Sequence, residues 1–265
     1  MGVLNVTPDS FSDGGLYATY DAAVAHGLEL IEQGADVVDV GGESSRPGAE
    51  PVAVDVELAR VVPVVEALAP RAAAAGVRIS VDTVKPEVAR AAAGAGARLV
   101  NDISASLWEV AAELGVGWVA MHMRGEPRSM QDDPRYEDVV GEVHAFVLER
   151  ARSARAAGVE EVWVDPGIGF GKTVAHNLAL LHHVGELVRE ASAAGCAGVL
   201  VATSRKRFLG VLAAGAGAPV PAPVPERAEG SLATAASAMV AGAGMVRVHD
   251  VAATVQVARL YGPRA

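Results

Sequence analysis

The stretch "RISVDTVKPEVARAAAGAGARLVND", residues 78–102, contains one complete structural unit. Its two apolar runs, 78–83 and 97–102, end in polar residues, and the alanine-rich segment between them predicts a helix over Pro86–Ala93. Gly94 and Gly96 follow, where a helix that turns into a strand needs a cap. A strand, a helix and a second strand in this order are typical of a parallel sheet, because parallel strands need a crossover connection.

The same unit recurs along the chain, which gives eight candidate strands. They read VLN, ADVVDVGG, RISVDT, ARLVND, GWVAMHM, EVWVDPG, GVLVATSRK and GMVRVHD. Further helices are predicted over Asp21–Gln33, Val56–Ala69, Val139–Ala157 and Glu229–Ala241. Eight units without a break in composition favour an α/β fold of the (β/α)8 TIM-barrel type, with a doubly wound sheet as the main alternative. The proline-rich segment Ala213–Gly230 is interpreted as a surface excursion, so we expect one domain over residues 1–265.

Composition limits the possible partners. The 265 residues carry a net charge of −10 at pH 7, which argues against a nucleic acid or an anionic membrane as partner. Cys196 is the single cysteine, so an intrachain disulfide and a multi-cysteine metal site are excluded. Without an apolar run of about 18 residues or a signal-peptide pattern, we expect a cytoplasmic protein with small-molecule substrates.

Polar residues at the strand ends predict the position of the active site. In a parallel barrel the carboxyl ends of the strands meet at one face, where the loops build the site. The side chains expected to share this cup are Asn5, Asp82, Asn101, Asp165, Lys206 and Arg247. Any one of them is more often a satisfied structural group, but burying all of them together costs stability unless they bind a ligand.

The cup divides into two chemical halves. Asp82, Asn101 and Asp165 offer carboxylate and amide groups that suit a flat heterocycle with N–H and carbonyl groups. Cationic side chains that suit a phosphate come from the loop after the second strand and from the ends of the last two strands. They are Arg46, Lys206, Arg247 and His249.

Two long loops, "NVTPDSFSDGG" and "GGESSRPGAEP", are flanked by glycine pairs and predict lids over the cup. The alternative is a pair of ordered turns, which Pro8 followed by Asp9 suits. Asp9 and Asp13 also suit Mg²⁺ beside a phosphate, although carboxylates are common in loops.

Several other motifs are set aside. The run "DPGIGFGKT" ends like a phosphate-binding Walker A loop, but Pro166 stands where the first glycine belongs. The histidines of the predicted helices are expected at helix surfaces or caps and not at a metal. They are His26, His144, His176, His182 and His183.

Taken together, these segments resemble bacterial dihydropteroate synthase, the family of folate-pathway enzymes that sulfonamides target. The likeness spans essentially the whole chain, through "MGVLNVTPDSFSDGG", "GGESSRPGA", "SVDT", "VND", "MHMRGEPRSMQ", "DPGIGFGKT", "SRKRFLG" and "VRVHDV". The resemblance implies a barrel that forms a homodimer through helices late in the chain. It also implies that the protein joins 6-hydroxymethyl-7,8-dihydropterin pyrophosphate to p-aminobenzoate, giving 7,8-dihydropteroate and pyrophosphate, with Mg²⁺ as cofactor.

The resemblance assigns roles position by position. For the pterin it implies contacts with Asp82, Asn101, Met121, Asp165, Phe170 and Lys206. For the pyrophosphate it implies Asn5, Arg46, Arg247 and His249, with Mg²⁺ held by Asn5 and Asp13. For p-aminobenzoate it implies Phe11, Ser45, Pro47 and Ser204. The residues expected to matter most for catalysis are Phe11, Asp13, Asp82, Asp165 and Lys206.

One position departs from the family pattern, and two other functions stay open. Ala202 stands where the family commonly has glycine beside the pterin, and its methyl group could tighten or tilt the slot. A barrel of the methyltetrahydrofolate methyltransferase type would share the Asp and Asn grip on a pterin, but it has no use for the "SSRPGA" loop or the cationic cluster. A catalytically silent paralogue would bind a pterin or a partner without turnover.

Overall fold

The architecture is a closed barrel. The structure, a computed structural model, describes residues 1–7, 20–45, 48–215, 217–218 and 220–261. Within them, eight parallel strands pair in the order in which they occur in the chain. The Val3 N–H donates to the Val248 carbonyl at 3.0 Å, and the Val248 N–H donates to the Met1 carbonyl at 2.9 Å. The segment that follows the eighth strand therefore pairs with the first strand and closes the barrel. The predicted (β/α)8 fold is confirmed.

The strands and helices alternate along the sequence. The strands are β1 (Gly2–Asn5), β2 (Val37–Gly41), β3 (Arg78–Asp82), β4 (Leu99–Asp102), β5 (Gly117–Met121), β6 (Val162–Asp165), β7 (Gly198–Val201) and β8 (Met245–Val246). The helices are α1 (Tyr20–Glu32), α2 (Val54–Ala74), α3 (Pro86–Ala95), α4 (Trp108–Leu114), α5 (Val139–Ala156), α6 (Val174–His182), α7 (Val184–Ala193), α8 (Arg207–Ala214), α9 (Ala228–Val240) and α10 (Val251–Tyr261). A short 3₁₀ turn, Val224–Arg227, lies in the excursion between α8 and α9.

The two faces of the strands contribute to different apolar cores, because successive side chains of a strand point to opposite faces. On β3, Ile79 and Val81 belong to the large core between the strands and the helices. The alternate residues, Ser80 and Asp82, point to the interior of the barrel. A smaller core fills that interior, and its buried members are Met1, Val37, Leu99, Val119, Leu200 and Ala202. The alternation along β3 therefore places the polar side chains of Ser80 and Asp82 inside the barrel.

Helix boundaries differ from the sequence prediction mainly at α2. The prediction began at Val56 and ended at Ala69, whereas the helix covers Val54–Ala74 and contains Pro63 and Pro70. A proline inside a helix removes one backbone hydrogen bond. The helix continues because its other face is packed into the large core, and burial outweighs that local loss.

The cap expected at the end of α3 is present. Gly96 has a φ of +123°, and its N–H bonds the carbonyls of Ala92 and Ala93. Gly94 lies inside the helix. Glycine at position 96 relieves the steric cost of the positive φ.

The predicted positions of the helix histidines are right for His176 and wrong for His144. His176 completes a capping box with Thr173 at the start of α6. His144 is buried, and its Nδ1 lies 2.8 Å from an Oε2 atom of Glu190 on α7. It falls on the apolar face of α5, where a polar ring is tolerated because the carboxylate gives it a partner.

None of the helices in the described ranges combines the length and the apolar character required to cross a membrane.

Candidate active site

A cavity of about 1020 Å³ lies where the carboxyl ends of the strands meet. Eight of the residues that the sequence singled out line it: Asn5, Ser45, Asp82, Phe170, Ser204, Lys206, Arg247 and His249. Three others, Asn101, Met121 and Asp165, are buried and do not form part of this wall. The strand ends therefore bring the predicted side chains together in two layers, one in the cavity wall and one buried outside it.

Arg247 joins the two chemical halves of the cup. Its Nε donates to Oδ2 of Asp39 at 2.6 Å, and its Nη2 donates to Oδ2 of Asp82 at 2.7 Å. Asn101 reaches the same Asp39 oxygen, with its Nδ2 at 2.9 Å. The acidic and cationic halves expected from the sequence are thus one hydrogen-bonded network.

Asp39 was not predicted as a site residue. Its side chain is fully buried, and within the described residues its Oδ1 has no hydrogen-bond partner. The prediction considered residues at strand ends, whereas Asp39 lies two residues before the end of β2. The available signal is the strand period, which puts Asp39 on the same face as Val37 and Gly41 and therefore inside the barrel.

Burial shifts the pKa values of the carboxyl groups upwards. It raises the pKa of Asp82 to about 7, while the charge of Arg247 opposes the shift and the nearby Asp39 adds to it. Burial also raises the pKa of Asp165, against the charge of Lys206 and a hydrogen bond of 2.7 Å from the Gly167 N–H. Both acids accordingly hold protons more readily than an exposed aspartate.

Lys206 connects the loops after β6 and β7. Its Nζ donates to the Ile168 carbonyl and lies 4.7 Å from the centre of the Phe170 ring, within the range of a cation–π contact. Burial lowers the pKa of Lys206 to about 8, against the charges of Asp165 and Asp82. An amine with this pKa keeps most of its charge at pH 7.

The backbone before Lys206 is strained. Arg205 has a φ of +58°, which is costly for a residue with a side chain. Its N–H donates to Oγ of Ser231 at 2.9 Å, and its guanidinium bonds both oxygens of Asp250, at 3.1 and 2.6 Å. These contacts hold the turn that places Lys206 in the cavity, and nothing in the sequence near Arg205 signalled them.

Ser204 and His249 are in direct contact. The Ser204 Oγ lies 3.0 Å from Nδ1 of His249 and accepts from the His249 N–H at 3.1 Å. The family resemblance implies that Ser204 contacts p-aminobenzoate and that His249 contacts the pyrophosphate. Their contact makes the two predicted subsites neighbours.

Two groups of buried and half-buried charges near the cavity were also missed. Lys172 bonds His122 and backbone carbonyls of its own loop. Burial lowers the pKa of Lys172 to about 7, and the Asp165 charge opposes this. Lys85 donates to Glu43, which lines the cavity, and to Glu57, which is fully buried on α2.

Several predicted site residues lie outside the described part of the structure. They are Phe11, Asp13, Arg46 and Pro47, and Asp9 is outside it as well. Within the described residues, no group of three or more His, Cys, Asp or Glu side chains could hold a metal ion.

Comparisons with known proteins agree with this geometry. The family model described as "Pterin binding enzyme" matches residues 1–249. The dihydropteroate synthase of Mycobacterium leprae is 47% identical over 270 residues, which cover 99% of this chain and 92% of the relative. The chain belongs to the dihydropteroate synthase family.

Solved dihydropteroate synthases have the same fold. The Yersinia pestis enzyme in a sulfonamide drug complex superposes with a TM-score of 0.88 at 43% identity, covering 98% of this chain and 92% of that one. The Xanthomonas albilineans enzyme in complex with 7,8-dihydropteroate gives a TM-score of 0.81 at 43% identity, covering 98% and 91%. As a member of this family the chain is a transferase of folate synthesis.

Ala202, which departs from the family pattern, lies in the cavity wall. It is 6% exposed and packs with Leu200 and Val119 in the inner core. Its methyl group therefore occupies the boundary between the barrel interior and the cavity.

Proposed function

We propose that this chain condenses 6-hydroxymethyl-7,8-dihydropterin pyrophosphate with p-aminobenzoate to give 7,8-dihydropteroate and pyrophosphate. The observation that carries the proposal is the Asp39–Arg247–Asp82 network at the wall of one cavity, beside Lys206. It brings acceptors for a heterocycle and a cation for a leaving phosphate into the same space. The relative that binds 7,8-dihydropteroate supports the same product.

The pterin is proposed to bind in the deeper half of the cavity. Asp82, Asn101 and Asp165 would bind its N–H and carbonyl groups, and Lys206 would donate to it above Phe170. Met121 would line the slot. Asn101, Met121 and Asp165 are buried behind the cavity wall, so the pterin would reach them only when the side chains in front of them move aside on binding.

The pyrophosphate is proposed to bind nearer the rim, at Asn5, Arg46, Arg247 and His249. Arg247 uses Nε and Nη2 for its two carboxylates, and Nη1 takes part in neither bond. That nitrogen and its protons suit a phosphate oxygen while the carboxylates hold the guanidinium in position.

The p-aminobenzoate is proposed to contact Ser45 and Ser204, which line the cavity. Phe11 and Pro47 would complete this subsite, and both lie outside the described residues. We keep the hypothesis that the two predicted loops close over this end of the cavity and exclude water.

Mg²⁺ is proposed at Asn5 and Asp13. The donor chemistry fits, because Asn5 places a carboxamide at the cavity wall, and Mg²⁺ takes few protein oxygens together with phosphate oxygens. When bound, Mg²⁺ would neutralise negative charge on the pyrophosphate. Asp13 lies outside the described residues, so this site stays a prediction.

The residues of the chain would act on a substitution at the pterin methylene carbon. The bond from that carbon to the pyrophosphate oxygen breaks, its electron pair leaves with the pyrophosphate, and Arg247 and His249 stabilise the departing charge. Asp82 and Asp165, when ionised, stabilise the positive charge that spreads into the ring. The neutral amine of p-aminobenzoate then forms the new bond and releases a proton, so no strong base is needed.

A direct assay tests this function. The purified protein is incubated with both substrates and Mg²⁺, and 7,8-dihydropteroate and pyrophosphate are quantified together. We expect equal amounts of both products from the wild type, and a loss of kcat/KM of about 100-fold or more in Lys206→Met.

Arg78→Met is the matched control for that assay. Arg78 forms an ion pair with Glu161 (2.7 Å) at the amino end of β3, away from the cavity, so its loss should leave activity near the wild-type level. Pterin binding without any product would instead identify a catalytically silent paralogue.

The number of domains and the oligomeric state are also proposals. We propose that residues 1–265 form one domain and that the protein is a homodimer of late helices. Exposed apolar side chains on those helices support the dimer, among them Val240 (69% exposed) and Leu260 (74% exposed). Light scattering on the purified protein would test the dimer, and the cytoplasmic location stays a prediction.

A further inference from the structure

A buried lysine lies at the centre of the loop between β6 and α6. Lys172 is 3% exposed, and its Nζ is 2.9 Å from the carbonyls of Gly167 and Phe170. The same atom is 3.0 Å from Nδ1 of His122 and 3.3 Å from the His122 carbonyl. Four acceptors therefore surround the amino group of Lys172.

This arrangement does not suit a phosphate ligand, although the loop ends in "GKT" as a Walker A motif does. A phosphate-binding lysine needs donors that face the ligand. The donors of Lys172 are all used by the loop itself and by His122, so its role is internal to the protein.

The lysine joins two loops, since His122 directly follows β5. The backbones of these loops touch at two glycines, Gly167 (φ +65°) and Gly171 (φ +60°). A Cβ at the first would overlap the carbonyl of His122, and a Cβ at the second would overlap the carbonyl of Arg124. The loop after β6 is thus seated directly on the loop after β5.

Two side chains fix the peptide groups in the middle of the β6 loop. The Gly169 N–H donates to Oδ1 of Asn177 at 2.7 Å, and the Gly169 carbonyl accepts from Nε2 of Gln131 at 2.5 Å. Gln131 belongs to the loop after β5. Lys172 and Gln131 therefore hold the same loop from two sides.

The groups that this loop presents to the cavity belong to the proposed pterin slot. Phe170 faces the Nζ of Lys206 at 4.7 Å, and the Ile168 carbonyl accepts from that Nζ. Both residues lie between Gly167 and Lys172, so the position of the loop sets the position of the aromatic ring and of the amine.

We propose that Lys172 is a positioning residue that sets the pterin slot by holding the β6 loop against the β5 loop. This inference rests on the proposed function, because it takes Phe170 and Lys206 as pterin contacts. Lys172 also lines the cavity, but its Nζ is taken up by His122 and by carbonyls of its own loop, so we infer that it acts through the Phe170 ring and the Ile168 carbonyl.

The test compares Lys172→Met with the wild type and with Arg78→Met as control. The dissociation constant of 6-hydroxymethyl-7,8-dihydropterin pyrophosphate is measured by calorimetry without p-aminobenzoate, and both KM values and kcat are measured in the assay. We expect the pterin dissociation constant and the pterin KM to rise tenfold or more, while the KM for p-aminobenzoate changes less than threefold. The control should match the wild type.

A merely structural role predicts a different pattern. A smaller folded fraction would lower kcat and leave the pterin dissociation constant and KM unchanged, and that result would overturn the proposal. If Lys172→Met does not fold, Lys172→Gln decides, since it keeps a polar side chain but shortens the donor that reaches the Gly167 and Phe170 carbonyls. A rise of about threefold in the pterin dissociation constant supports the proposal, and an unchanged value overturns it.

The failure of this inference is distinguishable from the failure of the proposed function. A wild type that binds the pterin but makes no dihydropteroate refutes the function. The ratio of the pterin dissociation constants of Lys172→Met and the wild type still tests the role of Lys172. A wild type that binds no pterin overturns both.

Discussion

Arg247 bonds the carboxylates of Asp39 and Asp82, and no other cation in the described residues contacts either of them at bonding distance. Its bonds of 2.6 Å to Asp39 and 2.7 Å to Asp82 offset the cost of burying these acids inside the barrel. The same guanidinium is proposed to hold the pyrophosphate. A single side chain thus links the stability of the barrel to the chemistry of the cavity.

The raised pKa of Asp82 predicts a pH-dependent change in stability. With a folded-state pKa of about 7 against an ordinary value of 3.8, Asp82 keeps a proton that the unfolded chain has lost between these pH values. Its stabilising contribution is therefore lost as the pH rises through about 7. In Asp82→Asn this titration is absent, so the free energy of unfolding of the variant relative to the wild type should rise by about 2 kcal/mol between pH 5.5 and 8.5.

Urea unfolding of both proteins at the two pH values measures this difference. Asp55→Asn is the control, because it makes the same chemical change at an exposed aspartate. A difference between Asp82→Asn and the wild type that is constant or falls with pH would refute the account of Asp82.

At the scale of elements, one ammonium group ties α2 to two loops. Lys85, before α3, donates to Glu57 in the first turn of α2 and to Glu43 after β2. Glu43 also accepts from the Val52 N–H at 2.9 Å, which bridges the ends of the second predicted lid loop. The base of that loop is therefore anchored to the barrel by ion pairs that include the buried Glu57.

Loss of Lys85 should leave the fully buried Glu57 without a counter-charge. We expect Lys85→Met to lower the free energy of unfolding by about 3–5 kcal/mol. The double variant Lys85→Met, Glu57→Leu should recover most of that loss, because it removes the buried carboxylate as well. Urea unfolding measures both, and a double variant no more stable than the single one would contradict this view of the ion pair.

At the scale of the whole molecule, the sequence predicted what repeats and missed what depends on distant contacts. The strands follow from a local period of two and from the order of the units. The same pattern places the polar residues Asn5, Asp82 and Arg247 at strand ends. The contact of Lys172 with His122 joins residues 50 positions apart, and that of Arg205 with Asp250 spans 45. No local pattern encodes such pairs, so these residues were found only in the folded barrel.

The barrel brings the two proposed subsites into contact through Ser204 and His249. The Ser204 Oγ lies 3.0 Å from Nδ1 of His249, which is proposed to bind pyrophosphate. Occupancy of His249 should therefore orient Ser204 for the second substrate. We therefore expect the cavity to take the pyrophosphate-bearing substrate first and p-aminobenzoate second.

Calorimetric titration with p-aminobenzoate, with and without pyrophosphate and Mg²⁺, tests this order. We expect binding only when pyrophosphate and Mg²⁺ are both present. Equal binding without them would contradict the order. Absence of binding under every condition, in a protein that still binds the pterin, would contradict the proposed function.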